Sequence, residues 1–461
     1  MNKQPVFCFI NLGCAKNEVD AELLLAHLVK AGFLFAPEPE DADFCLVNTC
    51  GFIHDAREEA AEVLEEVRLI KMERPAFLII ALGCLVERAG DDSSLKGFLK
   101  NADYHVGFAQ YPQLPTLCKT WLKGDLTICD KAVGYVGRQL PDAYVKFLNA
   151  PRVRIGSEAS AYLKIAEGCS NHCAYCSIPR IRGDLVSRNM DDILHEAQML
   201  LNAGVRELNM ISQDTAGYGM DRYSERKLVP LLEKLLDVIG NNWLRILYVH
   251  PRHLDEALLD IIKCHPQLCP YLDLPLQHIS DRMLKLMGRH IGRDATLRKL
   301  ELIKNHLPEG GLRTTFLVGH PGETDADFEE IKDLVQQGIF NHMGVFLYSS
   351  EPGTRAAQMP DDIPAQVKQE RHDELMELQQ DVSRRLLRKR IGQKADVLIE
   401  QAGYDENQFM LIGRSQLEAP EVDGEILIPM AENAAVKPGQ ILPVEFTDAS
   451  DYDLEARWID A

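Results

Sequence analysis

The sequence predicts an α/β protein with three successive parts. These are an N-terminal doubly wound parallel α/β domain, a central full or partial (βα)6 barrel, and a small all-β, OB-like C-terminal barrel. Short apolar runs alternate with helical patterns in the first third, six further strand–helix units follow without a break, and helical periodicity disappears beyond about residue 391. Alternating strands and helices predict parallel sheets, and a chain of 461 residues is too long for one hydrophobic core.

The N-terminal domain is predicted over residues 4–136. Its predicted strands are the apolar runs VFCFINLGC, DFCLVNTCGF and AFLIIALGC, and helical patterns over about residues 17–31 and 55–71 follow the first two. This alternation predicts a parallel, doubly wound sheet. Residues 137–160 carry Gly and Pro without clear periodicity, and we predict that they form a linker.

The central domain is predicted over residues 161–388. Its six predicted strands lie in AYLKIAEGC, ELNMISQD, LRILYVH, YLDLPLQH, LRTTFLVGH and MGVFLYSS, and helical patterns such as NMDDILHEAQMLLNAG lie between them. Six consecutive units favour a full or partial α/β barrel. A long charged helical pattern, PAQVKQERHDELMELQQDVSRRLLRKRIG, follows the last strand.

The C-terminal domain is predicted over residues 389–461. KADVLIE, QFMLIGRS, GEILIPM and QILPVEF are predicted short strands separated by Gly, Pro and Asp, which is typical of a small all-β barrel. From Ile391 onward there are four basic and fifteen acidic residues, a formal net charge of −11. Such a surface repels a phosphate backbone and favours a basic partner.

The overall composition narrows the class of partner and the compartment. The formal net charge of −20 counts against nucleic acid as the main partner, because proteins that bind a phosphate backbone are usually basic at the contact. No secretory signal opens the chain, and no apolar run reaches the roughly 18 residues of a membrane helix. We therefore expect a cytoplasmic protein with no membrane contact, whose twelve cysteines are metal ligands, catalytic groups or buried side chains rather than disulfides.

Three cysteines are crowded into one loop at the start of the central domain. EGCSNHCAYCSIPRIRGD, from Glu167 to Asp184, contains Cys169, Cys173 and Cys176. Three thiolates close together form a soft metal site. A structural zinc site normally has four protein ligands, whereas an iron–sulfur cubane held by three cysteines keeps one iron free for another ligand. A degenerate zinc site and three unrelated buried thiols are the alternatives.

A second set of three cysteines is spread over the N-terminal domain. Cys14, Cys50 and Cys84 each fall where a predicted strand ends, with a glycine beside each. Because the carboxyl ends of parallel strands share one edge of the sheet, where ligands bind, this set predicts a second cluster. The alternative is that cysteine is common in buried strands, which is what we expect for Cys8 and Cys45. No role is assigned to Cys118, Cys129, Cys264 and Cys269.

The CxxxCxxC loop resembles the cluster loop of radical S-adenosylmethionine (SAM) enzymes. The resemblance implies a [4Fe–4S] cluster whose free iron binds SAM, and whose reduction cleaves SAM to a 5′-deoxyadenosyl radical. It also implies that Tyr175 lies near the adenine and that Gln213 and Asp214 hold the methionyl end of SAM. VGHPGET, residues 318–324, resembles the family's Gly-rich turn after the fifth strand, with His320 where a larger apolar residue is usual.

The two cysteine sets and the small β domain together resemble the methylthiotransferase family of radical SAM enzymes over nearly the whole chain. The resemblance implies two [4Fe–4S] clusters, one that generates the radical and one that supplies sulfur, and a C-terminal TRAM domain. SAM serves both as methyl donor and as radical source, and a reductant such as flavodoxin supplies electrons. The implied product is a C–S–CH₃ group where a C–H bond stood.

Two branches of this family differ in their substrate. One modifies an adenosine in transfer RNA, and the other modifies the β-carbon of an aspartate in ribosomal small-subunit protein S-twelve. NLGCAKNEVDAE, RGDLVSR, ISQDTAGYG and GRSQLEAPEVDGEI resemble the second branch, and the acidic C-terminal domain agrees with a basic protein substrate and with no nucleic acid as substrate. The transfer-RNA branch is the alternative, and a non-enzymatic iron–sulfur redox protein on the ribosome is a third hypothesis.

Overall fold

The structure is a computed structural model that describes residues 4–124, 142–405, 408–430 and 436–459. Its N-terminal domain consists of a parallel sheet and the helices that cover it. The strands are β1 (Val6–Asn11), β2 (Leu34–Phe35), β3 (Phe44–Thr49), β4 (Leu78–Gly83) and β5 (Tyr104–Val106), and the helices are α1 (Ala15–Lys30), α2 (His54–Glu73), α3 (Cys84–Asp91), α4 (Leu114–Trp121) and α5 (Asp142–Phe147). The strand order is β2-β1-β3-β4-β5, and all the pairs are parallel.

Both faces of this sheet are buried in hydrophobic cores. Phe44 and Leu46 of β3 pack into the core that α1 and α4 cover, whereas Cys45 and Val47 pack into the core under α2. Successive strand residues point to opposite faces, so β3 has buried side chains along its whole length. The doubly wound architecture predicted from the sequence is confirmed, and Cys8 lies in the same core as Cys45.

The segment predicted to be an irregular linker contains a helix. Tyr144 and Phe147 of α5 are buried in the core of the N-terminal domain, where Tyr144 lies 5.7 Å from the ring of Phe108, centroid to centroid. The short run DAYVKF gave too little periodicity to be recognised as a helix. Residues 137–141 of the predicted linker, and Cys129, lie outside the described residues.

The central domain contains six parallel strands that follow one another in chain order. Its strands are β6 (Ser160–Lys164), β9 (Glu207–Ile211), β10 (Trp243–Ile246), β11 (Tyr271–Asp273), β12 (Gly311–Val318) and β13 (His342–Leu347), and β7 (Ala166–Glu167) and β8 (Val186–Ser187) form a small ladder beside them. They form two three-stranded sheets, one of β6, β9 and β10 and the other of β11, β12 and β13. A bridge between Leu244 and Leu268 and the bond from Val249 N to Asp273 O, 2.9 Å, join them. This is the partial (βα)6 barrel that the sequence predicts.

Helices surround the barrel strands on the outside. They are α6 (Ile178–Ile181), α7 (Met190–Asn202), α8 (Met220–Tyr223), α9 (Leu228–Ile239), α10 (Glu256–Cys264), α11 (Asp281–Leu286), α12 (Arg293–His306), α13 (Asp325–Gln336) and α14 (Ala365–Arg388). Their starts follow capping rules: Thr324 caps α13 in a capping box with Asp327, and Asn189 caps α7. No helix in the described part of the chain combines the length and the apolar character that a membrane span requires.

The C-terminal domain is a closed five-stranded barrel. Its strands are β14 (Lys394–Asp405), β15 (Gln408–Arg414), β16 (Ile426–Met430), β17 (Ile441–Ala449) and β18 (Leu454–Trp458), in the order β14-β15-β16-β18-β17. The sequence predicts four of these strands. It missed β18 because LEARW is short and carries two charges, although Leu454 and Ala456 face the barrel core.

A buried ion network holds this barrel against the start of the central sheet. Glu207 accepts hydrogen bonds from Arg245 Nε at 2.8 Å and from Arg414 Nη2 at 2.6 Å. All three side chains are almost fully buried. Arg245 also donates to the carbonyl of Gln416 at 2.9 Å, so the central domain binds both side chain and backbone of the small barrel.

The acidic stretch GRSQLEAPEVDGEI lies within this docking contact. The Glu418 side chain is buried and paired with Arg390. The Asp423 carboxylate is also buried, and it accepts hydrogen bonds from Arg313 Nη1 at 2.5 Å and from the Tyr271 hydroxyl at 2.6 Å. The view of this stretch as a wholly exposed acidic surface is therefore wrong for these two residues, because Arg390 pairs with Glu418 and Arg313 of the central domain pairs with Asp423. Glu421 and Glu425 remain exposed.

Replacing Glu207 with Gln should lower the free energy of unfolding by about 3 kcal/mol, because it leaves Arg245 buried without its carboxylate. Arg414 keeps Glu400 at 2.6 Å, which places the loss at the lower end of the range for a broken buried pair. Urea unfolding measures the change. The matched control is Glu445→Gln, which breaks the surface pair with Arg457 and should cost no more than about 1 kcal/mol. Equal effects of the two substitutions would contradict this account.

Candidate active site

The first cysteine set lies at the carboxyl edge of the N-terminal sheet. Cys14 follows β1, Cys50 follows β3, and Cys84 opens α3 directly after β4. Asn11 of β1 is paired with Asn48 of β3, so the parallel register brings the ends of these strands side by side. The predicted placement at one sheet edge is what the structure shows.

The loops that carry these cysteines pack with no spare room. A Cβ atom added at Gly13 would lie 3.1 Å from Cys50 Cβ, and one added at Gly51 would lie 2.8 Å from the carbonyl carbon of Cys84. Gly83 has φ +98°, and a Cβ there would meet Asn48 Oδ1 at 2.5 Å. Only glycine tolerates this conformation and contact. The three cysteines are therefore brought together by backbone contact between their loops.

The second cysteine set is held by a tight loop after β7. The Cys169 amide donates to the Gly183 carbonyl at 3.1 Å, and the Ala174 amide donates to the Met287 carbonyl at 2.8 Å. Gly168 before the loop has φ +68° and no space for a side chain beside Asp184. Cys169, Cys173 and Cys176 are all half-buried, so the loop is fixed while its thiols remain accessible from one side.

The spacing of the thiols fits a cluster better than a single ion. Two sulfurs on one zinc ion lie at most about 4.6 Å apart, because each Zn–S bond is about 2.3 Å. Among the described residues, the one group of three His, Cys, Asp or Glu ligand atoms within 4.8 Å is the exposed group His54, Asp55 and Glu58. Neither cysteine set closes around one ion, whereas a multi-iron cluster spans a larger gap between its thiolates.

His172 does not complete a four-ligand zinc site in the loop. Its side chain is 55% exposed, and Nε2 lies 3.5 Å from Asp184. This geometry disfavours the zinc alternative. Burial raises the pKa of the thiols of Cys84 and Cys169 to about 12, so the metal itself must displace their protons, as is usual for thiolate ligands.

Asp214 supports the second cysteine loop rather than pointing freely into a cavity. Its carboxylate accepts from Asn171 Nδ2 at 2.8 Å and lies 2.6 Å from His253 Nδ1. Asn171 also contacts Cys169 Sγ at 3.5 Å. Tyr175, from the same loop, is 3.5 Å from a guanidinium nitrogen of Arg289. Contact of Tyr175, Gln213 and Asp214 with SAM stays a prediction.

Three buried polar atoms near this loop have no hydrogen-bond partner among the described residues: Gln213 Oε1, His250 Nε2 and Arg289 Nε. His250 Nδ1 accepts from the Arg252 amide at 3.1 Å. Burial and the nearby Arg289 cation lower the pKa of His250 to about 2, so the imidazole is neutral and Nε2 carries its proton. Buried unpaired polar atoms are costly, and a polar cofactor such as SAM fits this donor and acceptor set.

The turn in VGHPGET follows β12, as the sequence predicts. The Gly319 amide donates to the Glu323 carboxylate at 3.1 Å, and Arg371 binds the same carboxylate at 2.7 Å. His320 is fully buried, with its ring 5.2 Å from that of Tyr348. The histidine therefore fills a packing position beneath the turn.

Arg182 connects the two cysteine sets. Its guanidinium donates to Glu167 at 2.9 Å, to Asp20 at 2.9 Å and to Asn17 at 2.7 Å, and it lies 3.4 Å from Cys84 Sγ. Glu167 is two residues before Cys169, and Asp20 and Asn17 belong to α1 in the N-terminal domain. The Arg182 side chain thus forms hydrogen bonds with both domains, next to both cysteine sets.

Lys16 lies near the same junction. Its Nζ is 3.0 Å from the centroid of the Tyr248 ring, which follows β10 at the mouth of the barrel. The Tyr248 amide donates to Asp273 Oδ2 at 3.1 Å, and Asp273 ends β11. Burial lowers the pKa of Lys16 to about 8 and raises the pKa of Asp273.

The sequence analysis missed His250, Arg289, Arg182 and Lys16. His250 follows the predicted strand LRILYVH, so the strand-end rule that selected Gln213 and Asp214 applies to it as well. Arg182 and Arg289 have no such signal, because they reach the site from loops whose partners are distant in sequence. Lys16 lies in the first turn of a helix, and only the packing of the two domains shows that its ammonium group is buried.

Comparison with known proteins accounts for all three parts of the chain. Residues 163–335 match the radical SAM superfamily, residues 391–459 match the TRAM domain, and residues 6–107 match the uncharacterized protein family UPF0004. The ribosomal protein uS12 methylthiotransferase RimO of Syntrophotalea carbinolica is 40% identical over 452 residues, 98% of this chain and 96% of that protein. The chain belongs to the RimO family. RimO of Aquifex aeolicus is 39% identical over 449 residues, 97% of this chain and 96% of that protein.

Solved structures share the fold of this RimO-family chain at low sequence identity. The radical S-adenosylmethionine methyltransferase TsrM from Kitasatospora setae aligns with a TM-score of 0.55 and 15% identity over 77% of this chain and 74% of that chain. The cobalamin-dependent S-adenosylmethionine radical enzyme OxsB aligns with a TM-score of 0.51 and 13% identity over 82% of this chain and 56% of that chain. These likenesses support the fold alone.

Two cysteine sets should hold about eight irons, four in each [4Fe–4S] cluster. Replacing Cys169, Cys173 and Cys176 with Ala should remove about half of the iron and abolish SAM cleavage. Replacing Cys14, Cys50 and Cys84 with Ala should also remove about half while SAM cleavage continues. Iron analysis and 5′-deoxyadenosine detection measure both results in the anaerobically reconstituted RimO-family protein.

The matched control is Cys264→Ala, because Cys264 is exposed and free and lies in neither set. It should keep all the iron. A triple variant that remains folded but loses every iron would contradict the assignment of two independent sites.

Proposed function

We propose that this chain is a radical SAM methylthiotransferase that replaces a C–H bond on the β-carbon of an aspartate in ribosomal protein uS12 with C–S–CH₃. The observation that carries the proposal is the pairing of two three-cysteine sets at one junction, where Arg182 contacts both the Cys84 thiol and Glu167 beside the second set. One set alone would serve radical chemistry, but sulfur insertion needs a second centre close by.

The residues divide between the two cofactor sites. Cys169, Cys173 and Cys176 would hold one [4Fe–4S] cluster, and Cys14, Cys50 and Cys84 the other. When bound, these clusters and SAM supply the radical and the sulfur.

The chain's own groups position the cofactors and exclude water. Asp214 fixes Asn171 beside Cys169, and the free atoms Gln213 Oε1, His250 Nε2 and Arg289 Nε are placed to bind polar groups of SAM. With SAM bound, the Nε2–H group of His250 would donate a hydrogen bond without changing the charge of the ring, because the imidazole is neutral.

Charge supports uS12 rather than transfer RNA as the substrate. The chain has a net charge of −20, which opposes binding to a phosphate backbone. After pairing of Glu418 and Asp423 inside the docking contact, the exposed Glu421 and Glu425 still present negative charge to a basic ribosomal protein. A reductant such as flavodoxin and a cytoplasmic location belong to the same proposal.

The reconstituted protein, reduced under anaerobic conditions with SAM and purified uS12, should form 5′-deoxyadenosine and add one methylthio group to one aspartate of uS12. Mass spectrometry of uS12 peptides locates the modified residue. Transfer RNA in place of uS12 is the matched control and should stay unmodified. A methylthio group on adenosine, with none on uS12, would contradict the proposed substrate.

A further inference from the structure

Lys16 is a buried cation with no ionic partner in the part of the chain that the structure describes. Its side chain is only 6% exposed, and no carboxylate oxygen in the described ranges lies within 4.0 Å of Nζ. A buried charge is costly unless it is paired, and the other buried cations of this junction are paired: Lys164 with Asp20 and Glu167, and Arg182 with the same two carboxylates. Lys16 is the exception among them.

The surroundings of Lys16 hold it in this unpaired state. Its Nζ is 3.0 Å from the Tyr248 ring centroid, so the aromatic face partly offsets the lost hydration. Tyr248 has φ +61°, a left-handed conformation that is strained for a bulky residue and typical of functional sites. The bond from the Tyr248 amide to Asp273 at 3.1 Å fixes that conformation and occupies one oxygen of the Asp273 carboxyl group, whose charge acts on Lys16.

Lys16 lies at the contact between the two domains that carry the cysteine sets. It follows Cys14 by two residues in the N-terminal domain, and its ammonium group reaches the carboxyl ends of barrel strands β10 and β11 through Tyr248 and Asp273. The second cysteine loop follows β6 and β7 at the same edge of the barrel. Lys16 therefore lies on the side of the barrel from which that loop emerges.

We propose that Lys16 binds the side-chain carboxylate of the target aspartate, and that it thereby selects an acidic side chain as the substrate. This inference rests on the proposed function. The β-carbon of aspartate is bonded directly to the carboxylate carbon, so a cation that holds the carboxylate fixes the reacting carbon within one bond. A single contact then both positions the reacting β-carbon and selects an acidic side chain over an uncharged one.

An acidic side chain of the small barrel lies near Lys16. Glu421 is exposed and acts on Tyr248 and on Glu18, two residues after Lys16, where burial together with the Glu421 and Glu22 carboxylates raises the pKa of Glu18 to about 7. The exposed Glu421 carboxylate suits a basic residue beside the target. The chemistry therefore fits one acidic residue within a basic segment, and it disfavours an uncharged target in the same place.

A double-mutant cycle tests the contact between Lys16 and the target. The probes are purified uS12 and uS12 in which the modified aspartate is replaced with asparagine, and binding to the reconstituted enzyme with SAM is measured. The wild-type enzyme should bind the asparagine protein roughly 10- to 100-fold more weakly, the range for one charge-assisted hydrogen bond. Lys16→Met should bind both proteins with similar affinity, and Lys16→Arg should restore part of the preference.

Lys30→Met is the matched control, because Lys30 lies exposed at the other end of the same helix, and it should keep the wild-type preference. Equal binding of the aspartate and asparagine forms of uS12 by the wild-type enzyme would overturn the inference, whatever the enzyme variants do. An equal preference in the wild type and in Lys16→Met would overturn it as well. A wild-type enzyme that leaves uS12 unmodified would instead contradict the proposed function.

Discussion

The buried guanidinium of Arg182 is the interaction on which the arrangement of the active site depends. It binds Asp20 and Asn17 of the N-terminal domain and Glu167 of the central domain, all within 3 Å. Lys164 completes the network by binding Asp20 and Glu167. Removing one member of such a network leaves a buried charge without a partner, which typically costs about 3–5 kcal/mol. The two domains therefore have one preferred orientation, and that orientation sets the distance between the two cysteine sets.

The small C-terminal barrel also packs against the central domain through buried ion pairs. The small barrel does not stand apart as an acidic tail, because Arg414 and Asp423 tie it to Glu207 and Arg313 at the central sheet. Its exposed Glu421 is thereby held near Glu18 and Tyr248, beside Lys16. The negative charge of Glu421 next to the buried ammonium group of Lys16 gives this position a local charge pattern that a uniformly acidic surface would not provide.

The sequence was sufficient to predict the features that depend on the local pattern of apolar, polar and cysteine residues. Strand ends predicted the edge shared by Cys14, Cys50 and Cys84, and the family, the fold class and the radical SAM assignment of the central domain are confirmed. Features that depend on packing between domains were not predictable. Nothing local distinguishes buried Glu418 from exposed Glu421, and Arg182 is an ordinary basic residue in its loop until Asp20 is placed beside it. The helix α5 was missed for the same reason, since its aromatic residues are buried by tertiary contact.

The distance between the two reduced clusters, measured by pulsed electron paramagnetic resonance, tests the role of Arg182 most directly. The wild-type protein should give one narrow distance distribution, and so should Arg180→Met, since Arg180 is exposed and its nearest carboxylate, Asp91, is 4.0 Å away. Arg182→Met should broaden the distribution or abolish the coupling, because the domains lose their shared cation. The same narrow distribution in Arg182→Met as in the wild type would contradict the account.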